Sequence, residues 1–262
     1  SAWSIIPLCI ATVMTGAYLV FLFGVSDQGA SESRTTTELS ELGVRDALRY
    51  KPFQSAIASF LLSVITLVSM QATLPFLLEK VLLLTTGEQS TALAVVFGSA
   101  LISFPMWVLL SKQLSKHSCL IVGCIPYATF LALVPMLSPG EGLTNQVLFV
   151  GVLCGLGLAA MSIFPWSIMP DVVSELDKLV KEQIQAFATS LFTLANKVGG
   201  AIAVFGVSVA LQVSGAGGEF DGSTDSAIGL IVIPSLALCL TACFAVRSRV
   251  LAGSSIRSGS LE

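Results

Sequence analysis

The sequence predicts an all-α, polytopic membrane protein with seven transmembrane helices, and three observations predict it. The first is composition. Of 262 residues, 54% are apolar or aromatic and only 11% are charged, against about 25% charged in a soluble domain. So few charges do not cover a water-soluble globule, and so much apolar content excludes a disordered chain. The second is segmentation. A span takes about 20 apolar residues, and seven apolar segments run over 3–25, 53–79, 91–111, 118–137, 146–169, 185–213 and 227–246. The third is the alternation of basic residues between them. The net charge of −3 points to no nucleic-acid partner.

Each segment has its own signals. The first lacks a basic n-region and a small-residue cleavage site, so it reads as a span and not a signal peptide. Residues 26–52 form a polar linker. Within it, Glu41–Tyr50 has the pattern of a short interfacial helix, with Leu42, Leu48 and Tyr50 as expected bilayer contacts. Pro52 restarts the chain. The second and sixth segments are long enough to tilt or to extend beyond the bilayer. Gln71 and Trp107 are candidates to line a cavity. The turn Lys112-Gln113-Leu114-Ser115-Lys116-His117 is expected to serve topology alone. At the end of the fifth segment, Pro165 and Pro170 are expected to interrupt the helix and free carbonyls for a cavity or for neighbours. Trp166 reads either as an interfacial anchor or as a site residue, and Asp171 either as a helix N-cap or as part of the same motif. Gly151, Gly155 and Gly157, and then Gly199 and Gly200, read as close-packing positions. The six cysteines fall in or at the edge of apolar runs. With no CxxC and a single histidine, His117, neither a metal site nor a disulfide framework is expected.

Basic residues set the orientation. Eleven of the 13 Lys and Arg fall on one side of a seven-span topology: Arg34, Arg45, Arg49 and Lys51; Lys112 and Lys116; Lys178 and Lys181; Arg247, Arg249 and Arg257. The other side holds Lys80 and the acidic loop with Glu219, Asp221 and Asp225. The positive-inside rule puts the C-terminal tail, 247–262, in the cytosol and the N-terminus outside.

The thirteenth basic residue, Lys197, lies in the middle of the sixth segment. A lysine at a helix centre costs about 2.5–3.5 kcal/mol on insertion scales. On a helical projection Thr193, Asn196, Lys197 and Gly200 share an arc of about 100° with Thr189, while Leu191, Leu194 and Val198 lie across from it. Lys197 is therefore expected to face protein or a wet cavity. No Asp or Glu lies mid-span, since Glu79 and Asp171 stand at span ends. The counter-charge is expected from a substrate group or from a carboxylate outside this sequence.

Two stretches carry a resemblance. Pro165-Trp166-Ser167-Ile168-Met169-Pro170-Asp171-Val172-Val173, followed by a short charged loop and by Asn196-Lys197-Val198-Gly199-Gly200, resembles the C-terminal half of the glycoside-pentoside-hexuronide:cation symporters. That family lies in the major facilitator superfamily, and its animal branch contains sodium-dependent lysophosphatidylcholine symporters. Gly24–Gln28 resembles the end of the family's sixth helix, Lys51-Pro52-Phe53 the start of its seventh, and 112–117 a degraded loop between helices eight and nine. The chain departs from the family at Ser174-Glu175, where a further Asp is common, and at Lys181-Glu182-Gln183, where an Arg/Gly-rich loop is usual.

The resemblance implies helices six to twelve of a twelve-helix carrier. Residues 1–25 would then belong to the N-terminal half, 26–52 would be a cytosolic linker, and 53–246 the six-helix C-terminal half. The missing N-terminal half would be the partner whose acidic residues hold the coupling cation, sodium, near Lys197. The implied function is symport of a lysophospholipid or similar amphiphile by alternating access, in the plasma membrane. Lys197, Asn196, Thr193 and Trp166 would serve substrate and cation, with Pro165, Pro170 and Asp171 as a cytosolic gating motif. Phe192, Phe205 and the glycine pairs would leave room for an acyl chain. The apolar lining favours a lipid over a hydroxyl-rich sugar, which wants several fixed polar partners. A sugar:cation symporter of the same family and a non-transporting membrane scaffold remain as alternatives. No nucleophile–base set argues for an enzyme, and no repeated polar rings argue for a channel.

Overall fold

A computed structural model describes residues 48–137, 143–180, 185–213 and 232–247. All the elements among them are helical, and five helices are long and apolar enough to cross a membrane. They are α1 (Lys51–Phe76), α2 (Thr86–Leu110), α3 (Lys116–Leu133), α4 (Leu143–Val180) and α5 (Gln185–Val213). A shorter apolar helix, α6, follows at Val232–Arg247. The expected first span, most of the linker and the tail beyond 247 lie outside the described residues, so the count of seven rests on the sequence alone.

The helix boundaries have local causes. Pro52 in the first turn of α1 supplies a preset φ where no intrahelical donor is needed. Near the other end, Pro75 removes a donor, and the helix passes into a π turn at Leu77–Val81. Thr85 and Glu88 form a capping box at the start of α2, with Thr85 N donating to Glu88 Oε2 at 2.9 Å. Ser115 caps α3, which tightens into a 3-10 turn at Val134–Met136 around Pro135.

The expected interruption at Pro165 and Pro170 does not occur. Helix α4 runs through both prolines for 38 residues, about 57 Å. An interior proline costs about 3 kcal/mol, and packing offsets it here. Met161, Phe164, Ile168, Val172, Val173 and Leu176 are all buried, so one apolar face continues at helical spacing across the two missing donors. Asp171 is therefore an interior residue of α4 and not an N-cap.

Helix α4 packs against α2, α3 and α1, while α5 packs chiefly against α1. Glycines set the closest approaches. A Cβ on Gly155 would strike Ser99 Oγ and the Val96 carbonyl of α2, and one on Gly157 would lie 2.5 Å from Tyr127 Cβ of α3. A Cβ on Gly151 would stand 3.3 Å from Val96, and one on Gly199 3.1 Å from Leu61 of α1. Gly200 departs from the packing expectation: a Cβ there meets nothing within 4 Å, because the position points away from α1.

A hydroxyl stripe that no sequence motif signals runs along α1. Ser55, Ser59, Ser63, Thr66, Ser69 and Thr73 are buried along one face of α1. Ser63 and Thr66 donate back to the carbonyls of Ser59 and Leu62 at 2.8 and 2.9 Å. Such back-bonding lets a polar side chain lie inside an apolar bundle, and the small residues let neighbours approach closely.

Candidate functional site

The open face of α5 carries the central cation. The helix buries Ala188, Phe192, Ala195, Gly199, Ala203 and Val207, a stripe of spacing three and four directed at the bundle. Lys197 lies on the other side and is exposed, as are Thr193, Leu194 and Val198, while Asn196 is half-buried at the edge. Among the described residues no helix covers Lys197, so what faces it lies outside them. No ion pair joins it to a described carboxylate. Thr193 Oγ1 donates to the Thr189 carbonyl at 2.9 Å, so its hydroxyl proton is already committed.

Trp166 is held elsewhere. Its ring meets Phe60 edge to face at 4.8 Å, Phe60 meets Phe192 at 5.2 Å, and Phe192 meets Phe53 at 6.1 Å. This chain of rings joins α4 to α5 through α1, two helices that touch each other little. Each such pair is worth about 0.5–1.5 kcal/mol beyond area burial. Phe192 is only 1% exposed, so it is packing for the bundle and does not line an acyl-chain path as expected. Phe205 is exposed. Phe192, at the end of that chain of rings, and Lys197 occupy different faces of α5.

A second polar cluster lies where α3 begins. Lys116 Nζ stands 2.6 Å from Asp171 Oδ2 and donates to the Ser167 carbonyl at 3.1 Å. Both acceptors lie in the turn of α4 around Pro170. The pair is solvated, at 38% and 55% side-chain exposure. The basic turn at 112–117 therefore does more than set topology: its Lys116 joins α3 to α4. One turn further on, Tyr50 Oη donates to Glu175 Oε1 at 3.0 Å. Tyr50 is thus tied to α4, which replaces its expected role as a bilayer contact. No local spacing signals either pair, since the partners lie 55 and 125 residues apart.

Of two further candidates, Trp107 packs into the bundle away from any cavity. Trp107 is 3% exposed, donates from Nε1 to the Leu156 carbonyl at 3.0 Å, and packs edge-on against Phe164. Gln71 is exposed on α1.

Comparison with known proteins adds the following. A model of the family described as MFS/sugar transport protein matches residues 1–250. The chain is 28% identical over 133 residues to an uncharacterized symporter of Synechocystis, covering 50% of this chain and 24% of the relative. It is 22% identical over 218 residues to a sodium-dependent lysophosphatidylcholine symporter of Danio rerio, covering 82% and 40%. It is 26% identical over 175 residues to a sphingosine-1-phosphate transporter of Xenopus tropicalis, covering 65% and 32%. The matched region spans less than half the length of each of these relatives.

Proposed function

This chain belongs to the MFS/sugar transport protein family, and on that premise we propose that it is the C-terminal part of a sodium-coupled symporter for a single-chain phosphate-bearing amphiphile such as a lysophospholipid. The family is one of transporters and not of enzymes.

One observation carries the substrate class: the exposed ammonium of Lys197 on a helix that also exposes a run of apolar side chains beside it. A lone charge at that depth needs an anion, a carboxylate or water. Leu194, Val198, Ile202 and Phe205 are exposed on the same helix, so a phosphate at Lys197 leaves an acyl chain in contact with apolar surface. The two named cargoes among the relatives, lysophosphatidylcholine and sphingosine-1-phosphate, share one phosphate and one long chain.

Coupling follows from charge competition. In this reading the preceding half of the carrier presents carboxylates that hold sodium. Lys197 is drawn to those carboxylates when sodium is absent and released to the phosphate when sodium is bound. Asn196 and Thr193 flank it. The halves rock about a mid-membrane site, and sodium and substrate together favour a state that neither stabilises enough alone. The Lys116–Asp171 contact lies at the cytosolic end, beside Pro165 and Pro170, where it sets how readily that end opens. In this reading the protein lies in the plasma membrane with its tail in the cytosol.

The test is uptake of labelled lysophosphatidylcholine, sphingosine-1-phosphate and a hexose by the full-length protein, in sodium and with choline in its place. Sodium-stimulated uptake of the two lipids alone supports the proposal. Uptake of the hexose alone transfers the chain to sugar transport, and no uptake despite surface expression leaves a scaffold.

A further inference from the structure

A groove of about 400 Å³ opens at the end of the bundle opposite Lys116 and Asp171. Its floor and walls are Leu133, Met136 and Leu137 from the end of α3, with Phe149 and Val150 from the second turn of α4. Asn145 and Gln146, both exposed, form its rim one turn nearer the start of α4. Leu137 and Val150 also line a narrower apolar crevice of about 20 Å³ that reaches inward to Leu74, Val96 and Phe130. The polarity therefore falls steadily from an amide rim, through an apolar trough, to an apolar interior.

Depth gives this gradient a meaning. Asp171 and Lys116 are solvated and mark one water boundary. Asn145 lies 26 residues earlier on the same helix, about 39 Å away at 1.5 Å per residue. The hydrocarbon core is about 30 Å thick, and headgroups extend it to about 40–45 Å. Asn145 and Gln146 thus stand at headgroup level in the other leaflet, and Met136, Phe149 and Val150 stand within the acyl region. Met136 and Phe149, 75% and 64% exposed, continue the surface that a multi-pass protein presents to lipid.

We propose that this groove is a binding site for a resident phospholipid of that leaflet, with one acyl chain in the trough and an ester or phosphate oxygen accepting from the amides of Asn145 and Gln146. The inference rests on the chain's place in a membrane and not on its cargo. The adjoining segment 138–142 is Ser-Pro-Gly-Glu-Gly and offers no long apolar side chain to fill the trough. A bilayer chain does, and each methylene moved into such a groove leaves the flexible tail region for fixed contacts. The carboxamides supply four N–H donors at the level where lipid ester and phosphate oxygens lie. A lipid held this way adds a contact between the end of α3 and the start of α4 on the outer side of their packed residues.

The experiment uses the purified full-length protein, stripped of lipid in detergent and then offered dioleoylphosphatidylcholine, with retained molecules counted by native mass spectrometry. One retained phospholipid per chain is expected. Its retention should fall about tenfold in an Asn145→Leu, Gln146→Leu double variant, which removes the donors. It should fall equally in Met136→Trp, which fills the mouth from an exposed position and leaves the core untouched. Ile102→Ala, on the open face of α2, should retain it as the parent does. A folded parent that retains no phospholipid overturns the proposal, since segment 138–142 or another part of the carrier then fills the groove. Retention at the parent's level in both groove variants overturns it too. Retention of added lysophosphatidylcholine in preference to the diacyl lipid overturns the assignment to a resident lipid and makes the groove a station for cargo.

Discussion

Lys116, the first residue of α3, bridges two acceptors one turn apart on α4, Asp171 Oδ2 at 2.6 Å and the Ser167 carbonyl at 3.1 Å. The two contacts tie the start of α3 to the Pro170 turn of α4. A solvated ion pair contributes at most about 1 kcal/mol. Asp171→Asn is therefore expected to lower the melting temperature by no more than about 4 °C, while changing the uptake rate several-fold. The charge swap Lys116→Asp with Asp171→Lys should restore the rate. Melting and uptake measured on the same preparations check this, and a large loss of stability without a rate effect would make the pair purely structural.

Tyr50 fills the N-cap of α1 but does not cap it, and its hydroxyl is bound to Glu175 instead. A hydrogen bond to a charged acceptor is worth about 1.5–3 kcal/mol. Tyr50→Phe is expected to destabilise by about that amount. Glu175→Gln should cost less, because its carbonyl still accepts. Chemical unfolding of the two variants and the double variant decides it, and additive effects would show that the bond contributes nothing.

Gly155 and Gly200 predict opposite outcomes for one substitution. Alanine at 155 drives a methyl into Ser99 and backbone of α2, with Ala100 N only 2.8 Å from the new carbon, so yield and melting temperature should fall sharply. Alanine at 200 enters open space and replaces a poor helix former, stabilising by about 0.5–1 kcal/mol. Thermal melts of both variants give the comparison. A tolerated Gly155→Ala would mean that α2 and α4 lie farther apart than the structure places them.

Phe60 is the middle ring of the chain from Trp166 to Phe192. Phe60→Ala is expected to cost about 3–5 kcal/mol and to loosen α5 from α4, which α1 holds together. Hydrogen exchange along Gln185–Val213 should rise in this variant. Unchanged exchange there would show that the glycine contact at Gly199 suffices to dock α5.

Much of this fold was legible because lipid imposes a coarse rule. The apolar segments at 53–79, 91–111, 118–137, 146–169 and 185–213 fall on α1 to α5, since a helix must be apolar wherever it meets hydrocarbon. The family was legible in the Pro165–Val173 and Asn196–Gly200 motifs. What stayed hidden depends on contacts across the bundle. Local propensity ends a helix near Pro165 and Pro170, yet Val172, Val173 and Leu176 are buried beyond them and carry α4 onward. Phe192 and Phe205 look alike in sequence, and only the packing of α1 buries the first and leaves the second open. Lys197 was found by its depth in the chain, whereas the direction it faces depended on which side of α5 receives α1.

The central claim is that Lys197 meets a phosphate, and substrate discrimination tests it most directly. Sodium-driven uptake of lysophosphatidylcholine would be compared with that of a monoacylglycerol of the same chain length, in the full-length parent and in Lys197→Ala. The account predicts that the parent prefers the phosphate-bearing lipid by about tenfold or more, the value of one charged contact, and that the variant loses this preference. A variant that transports both lipids more slowly but keeps the parent's preference would contradict it.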